Sequence, residues 1–397
     1  MRAASRIRGL VLLCSEELHA ARQKTLVAAV TALVQCGRVV CASMGRAVAV
    51  ATSDKHGIKR MDRLLGSTTL HRERMAIYRK IAAHTVGRIS RPIVLVDWSQ
   101  LGRDKCILKA VLALQGRGVP LYAECHTLSA NANPSVHKHF LLRLQSILPA
   151  DCCPVIVTDS GFKHPWCAAV RALGWDYVTR VRGKNCVRAD ADGEWFTAKD
   201  CVELFGTGLH DMREGELNRH RPRATRLVLW DGRSKRARKR PAEKGRRIRT
   251  RRAVRGAHEP WLLSTSLAEG LARDIVEIYG LRMQIELSLR DDKSHWLGWG
   301  LQQARTRRCA RVDIQLLLIA MGTVAALLFG MAAERAQLAR HFQANTERRR
   351  RVLSLFALGR RVLNSRVLEL IPADQIARML AALRDQVPRF AGFYGLE

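Results

Sequence analysis

The sequence predicts an α/β protein: a core of short buried strands and helices, interrupted by a β-rich basic insertion and flanked by a helical head and a helical tail. Three observations carry that prediction. Between Pro92 and Val181, short apolar runs rich in Val and Ile alternate with segments of helical period. Residues 184–266 break the alternation with β-like fragments around a block of Lys and Arg. Toward both ends, apolar residues recur every three to four positions, as one face of a helix requires. A length of 397 residues suits two or three domains, and a hydrophobic content of 47% excludes wholesale disorder.

The elements follow in order. Segments 16–32 and 70–83 read as amphipathic helices joined by the basic stretch 55–66, a module that is either a DNA-binding head or a solvated helical hairpin. Residues 93–96 form a short buried strand ending at Asp97, and 107–114 and 119–125 are two further strands around a turn at 115–118. Pro134 opens a helix to residue 148, since proline suits a first helical turn. Val155–Thr158 is another buried strand, ending at Asp159; a helix over 164–173 and a strand over 177–181 follow. Strand termini are where α/β sheets bind ligands, which places both aspartates for chemistry. Arg226–Trp230 and Trp261–Thr265 read as strands of the insertion, and long helices return over 267–292 and 312–333. The predicted division is a head (1–90), a first core segment (91–183), the insertion (184–266), a second core segment (267–333) and a tail (334–397).

Charge narrows the partner. The chain has 68 Lys and Arg against 35 Asp and Glu, a net +33 that a polyanion must neutralise. Over 219–255 alone, 17 Lys and Arg stand against Asp231 and Glu243, which reads as a basic arm suited to lie along phosphates. Eleven cysteines include no C-x-x-C pair, which predicts no disulfide framework and a reducing cytoplasm. Residues 314–333 carry Gln315 as the one strongly polar side chain, enough apolar length to span a bilayer. With no second such segment, the reading adopted is a buried central helix and no membrane partner. Cys125, His126, His137 and His139 match no zinc-finger spacing and are assigned structural or surface roles, and Trp98, Trp175, Trp296 and Trp299 are expected to pack rather than to stack on bases.

The chemistry is concentrated in residues 279–293. At about 100° per residue, Arg282, Glu286 and Lys293 fall within about 60° of Tyr279 on a continuous helix. One face would then carry a phenol, a guanidinium, a carboxylate and an ammonium. An amphipathic helix with ordinary pairing explains such a face taken alone. The spacing Y-x2-R-x3-E-x6-K, however, resembles the signature of bacterial DDE transposases of the insertion-sequence-4 family. The segments around Asp97 (Val94-Leu-Val-Asp-Trp-Ser99) and Asp159 (Val155-Ile-Val-Thr-Asp-Ser-Gly-Phe162) resemble that family's two aspartate strands, in the family's order.

The resemblance covers roughly residues 90–333 and implies a ribonuclease-H-like core with a β insertion between the second Asp and the Glu. It further implies that Asp97, Asp159 and Glu286 are catalytic and hold two Mg²⁺ ions, with Mn²⁺ as a substitute. Two such ions activate an attacking oxygen and stabilise the leaving one in phosphoryl transfer. Tyr279, Arg282 and Lys293 are implied to grip DNA phosphates. Trp261 is implied either to occupy the stack beside a flipped base or to be a core strand residue. The implied activity is cut-and-paste transposition: nicking of transposon ends, a hairpin intermediate and strand transfer into target DNA. Its partners would be double-stranded DNA, at the ends and the target, and a second copy of the chain in a synaptic complex, in a bacterial cytoplasm beside the nucleoid. The rivals are a host nuclease of the same fold and a relative that only binds DNA; three intact motifs argue against loss of the metal site.

Overall fold

The computed structural model describes residues 2–49, 53–190, 192–231, 260–344, 346–347, 350–372 and 375–390. Five helices lead the chain: α1 (Arg2–Cys14), α2 (Ala20–Cys36), α3 (Cys41–Val48), α4 (Asp54–Leu65) and α5 (Thr68–Thr85). Next come β1 (Ile93–Leu101), β2 (Lys105–Leu112), β3 (Val119–Thr127), α6 (Pro134–Ile147), β4 (Val155–Thr158), α7 (His164–Ala172) and β5 (Asp176–Val181). The insertion supplies β6 (Cys186–Arg188), β7 (Phe196–Thr197), α8 (Cys201–Phe205), β8 (Leu209–Met212), β9 (Glu216–Leu217), β10 (Arg223–Ala224), β11 (Arg226–Trp230) and β12 (Trp261–Thr265). Then follow α9 (Ala272–Gly280), α10 (Met283–Lys293), α11 (Cys309–Arg335), α12 (Leu355–Leu363) and α13 (Gln375–Asp385).

Two compact units result. The first combines Met1–Pro154 with Met283–Pro388. Within it β1, β2 and β3 form an antiparallel meander, and β2 is buried along its whole length. The stretch 55–66, expected to be a connection, is largely α4. It packs so closely on α3 that a Cβ on Gly57 would stand 2.2 Å from the Gly45 carbonyl oxygen, an approach only glycine permits. β1 does not stop at Asp97 but runs on to Leu101, because its pairing with β2 continues to Leu101↔Lys105 across a turn with Gly102 at φ +69°.

The apolar segment 314–333 lies inside α11. Residues 312–333 of this helix are all buried, within a shell of α2, α5, α12, α13 and β3. A helix apolar on every side must be enclosed on every side. Most of its few polar groups are paired: Asp313 accepts the Cys125 N–H at 2.8 Å and contacts His71 at 2.9 Å, and Gln315 donates to the Val39 carbonyl at 3.0 Å, while the Gln315 Oε1 is buried without a hydrogen-bond partner among the described residues. α11 and α12 meet backbone to backbone, since a Cβ on Gly359 would lie 1.7 Å from the Ala326 oxygen.

The second unit is built from Val155–Arg282. Its mixed sheet runs β4-β5-β12-β11-β8, with β4 and β5 parallel and the other pairs antiparallel. A small antiparallel sheet, β10-β9-β6-β7, belongs to the insertion. Val187, Cys201, Met212, Leu227, Leu229 and Leu262 pack together as a core of this unit.

Candidate active site

Asp97 sits where β1 leaves the core: residues 93–96 are buried and 97–99 half-buried. One Asp97 oxygen accepts the backbone N–H of Trp98 at 2.8 Å. Glu286 is exposed on the first turn of α10. The two carboxylates line one cavity of about 940 Å³ together with Ser99, Arg103, Arg290, Lys293 and Arg305. Hard oxygen donors suit a divalent cation, and the surrounding cations suit phosphate oxygens. Lys293 Nζ donates to Ser99 Oγ at 2.6 Å. Burial pushes the ammonium's pKa down, opposed by Asp292 and Asp97.

The opposite side of α10 is buried. Gln284 bonds both main-chain groups of Leu114, accepting its N–H at 3.1 Å and donating to its oxygen at 2.5 Å. Asp292 pairs with Lys109 of β2 at 2.5 Å, both side chains 2% exposed. Asp291 lies 3.5 Å from Arg117. Burial raises the pKa of both aspartates, while the cations oppose it. Asp291 and Asp292 thus point away from the cavity, as expected of residues off the Glu286 face.

Asp159 follows β4 directly. Its Oδ1 accepts the Gly161 N–H at 2.8 Å and its main-chain oxygen accepts the Thr179 hydroxyl at 3.1 Å. In the same unit Trp261 of β12 lies between Trp230 and Tyr279, ring centroids 4.8 and 4.9 Å away. The Arg282 guanidinium stands 5.7 Å from the Tyr279 ring. Burial raises the Tyr279 phenol's pKa, with Arg282 and Arg180 acting against it.

The first unit therefore brings together Asp97, Glu286 and Lys293, and the second carries Asp159, Tyr279, Arg282 and Trp261. Neither unit alone gathers three His, Cys, Asp or Glu side chains in reach of one ion among the described residues. The four signature residues do not share one helix. After Gly280 the hydrogen bonds tighten to i−3, Leu281 N to Ile278 O at 3.2 Å and Arg282 N to Tyr279 O at 3.0 Å, and α9 ends. Glycine weakens a helix interior, and α10 starts afresh at Met283.

Other expectations fare unevenly. Trp175 and Trp299 are buried packing residues, and Trp98 is held by His137, which accepts its indole N–H at 2.8 Å. Trp296, also expected to pack, is 83% exposed because it sits on a turn beyond α10. His126 pairs with Glu124 at 2.8 Å and His137 holds Trp98, so these two serve the fold, while His139 is exposed on the surface of α6. The arm at 233–255 lies outside the described residues.

The sequence reading missed Lys109 and a second cavity. Lys109 had a signal: a lone lysine inside the apolar run 107–114 must find a buried counter-charge. The second cavity, about 840 Å³, lies in the second unit and begins at Ser160, next to Asp159. Lys163, His164, Arg171, Arg180, Lys184, Arg219, His220 and Arg223 line it, with no Asp or Glu among the described residues. Lys163, Lys184, Arg219 and Arg223 are exposed and form no ion pair among the described residues. The cations of this cavity come from α7 and the residue before it, from β5 and from the insertion, so no single stretch of sequence displays them together.

Residues 90–322 match the family model described as the transposase DDE domain. No curated protein matches the chain.

Proposed function

The chain belongs to the transposase DDE domain family, whose members are phosphoryl-transfer enzymes of DNA transposition, and we propose that it moves an insertion sequence of the insertion-sequence-4 type by cutting and pasting. In this reading water nicks each transposon end, the freed 3′-OH attacks the opposite strand to form a hairpin, the hairpin is reopened, and the ends join target DNA. A homodimer holding both ends in one synaptic complex fits that sequence of steps. The observation that carries the proposal is the cavity shared by Asp97, Glu286 and Lys293, with Arg103, Arg290 and Arg305 around it.

The donor set fits divalent metal. Asp97 and Glu286 offer hard oxygens on one cavity, and Asp159, at a strand end in a ribonuclease-H-like reading of the core, would supply the third carboxylate. Bound Mg²⁺ or Mn²⁺ would supply activation of the attacking oxygen and stabilisation of the leaving one. The protein's own side chains orient the DNA. Lys293, anchored by Ser99, presents a point charge to a phosphate oxygen. Arg282 offers a planar fork for bidentate phosphate contact, and Tyr279, packed against Trp261, limits where that fork can swing. The cationic cavity beginning at Ser160 suits the DNA backbone beside Asp159.

Cleavage of the element's own end DNA with Mg²⁺ tests the proposal. Asp97→Asn, Asp159→Asn and Glu286→Gln should each lower nicking by roughly a thousandfold, a loss of about 4 kcal/mol, while end binding persists. Near-wild-type nicking in any of them removes that residue from the site.

A further inference from the structure

α10 carries Glu286 on one side and a buried polar row on the other. Gln284 and Asp291 are seven residues apart, so they lie on one line of the helix, with Ser288 close to it and Asp292 beside it. All four are buried, whereas Glu286 is exposed to the cavity. The buried row is tied to the meander at both ends. At the N-terminal turn Gln284 takes both hydrogen bonds of Leu114, just beyond β2. At the C-terminal turn Asp292 meets Lys109.

Lys109 is no arbitrary partner. It is the cross-strand neighbour of Asp97 in the β1–β2 register, so the two side chains leave the same face of the sheet. Asp97 turns to the cavity and Lys109 into the core, to the helix that bears Glu286. Two hydrogen bonds and a buried ion pair thereby fix the rotation and the advance of α10 against the strand that holds Asp97. Apolar contacts through Ile285 and Leu289 would hold the helix on the sheet but are non-directional.

We propose that Lys109 and Gln284 are positioning residues that set Glu286 against Asp97, so that the two carboxylates form a preshaped divalent-cation site. This rests on the reading of Asp97 and Glu286 as metal ligands. Outer partners that orient ligands commonly govern metal affinity by 10- to 100-fold.

The test is Mn²⁺ binding by the full chain with its end DNA, followed by electron paramagnetic resonance of free Mn²⁺, alongside thermal melting. Lys109→Met with Asp292→Leu replaces the ion pair by apolar groups, a change that buried pairs often tolerate in stability. The expected result is a melting temperature close to wild type and Mn²⁺ affinity at least tenfold weaker. Should that pair fail to fold, Asp292→Glu keeps the charge but lengthens the arm by one C–C bond, ~1.5 Å; it should weaken Mn²⁺ tenfold too. A role in stability alone predicts wild-type affinity in whichever variant folds, and that result overturns the proposal. Mn²⁺ affinity that is the same in Glu286→Gln as in the wild-type chain instead overturns the metal-ligand reading itself, so the two failures are distinct.

Discussion

Replacing Lys163, Lys184, Arg219 and Arg223 with Gln removes four exposed cations that, among the described residues, have no ion-pair partner and line a cavity with no carboxylate. Each cation that neutralises a phosphate releases a counterion, worth about 0.9 in the slope of log K against log salt. If all four meet the backbone, the slope falls by about 3.6. Between 50 and 200 mM salt the wild type would then lose about 150-fold more affinity than the variant. The assay is end-DNA binding by fluorescence anisotropy across that salt range, without divalent metal so that no cleavage intervenes. A control variant with Arg335, Arg340, Arg361 and Arg366 changed to Gln removes the same charge from exposed positions of the first unit. An equal change of slope in both variants would show that net charge, not this groove, attracts DNA; no change in the first would refute the groove outright.

Three further outcomes are expected. Gly359→Ala drives a methyl against the Ala326 oxygen and should destabilise the first unit by about 3 kcal/mol in urea melts; unaltered stability would mean that α11 and α12 do not touch there. Burial holds the His137 imidazole down at about 4, so the folded protein binds fewer protons than the unfolded chain. That contributes stability above about pH 6.5, lost as pH falls toward 4 and at most about 3 kcal/mol, and His137→Gln should flatten this acid limb while still accepting the Trp98 indole; an unchanged limb rules it out. Trp261→Ala should spare first-strand nicking and slow hairpin formation roughly ten- to a hundredfold, about 1–3 kcal/mol of stacking, with partial rescue by an abasic end; nicking and hairpinning falling together would leave Trp261 as packing between Trp230 and Tyr279.

Local pattern made the strands legible. Val155–Thr158, Arg226–Trp230 and Trp261–Thr265 have the bounds that their β-branched and apolar runs imply. The apolar run around 314–333 could be read as enclosed because nothing beside it resembles a second span, and its burial agrees. What stayed hidden depends on partners distant in sequence. Helical period over 279–293 is unbroken on paper, yet one glycine splits it, because period records which face is apolar and not whether the backbone continues. Lys109 and Asp292 are 183 residues apart, and their pairing follows from strand register and helix docking together. The cationic cavity is assembled from three separate segments, each of which alone reads as an ordinary solvated surface.

The first unit is discontinuous, and that orders its birth. Met1–Pro154 leaves the ribosome well before α11, the helix around which α2, α5 and β3 pack. At 5–20 residues per second the wait lasts roughly 10–40 s. During it the leading segment bears an apolar groove with nothing in it, a surface that invites chaperones or aggregation, while the second unit can complete its own sheet. The contacts that close the first unit span most of the chain, so its folding should be slow, and late for a protein this size. A product truncated before Cys309 would hold Asp97 and Glu286 in its sequence but would lack the helix on which their unit condenses.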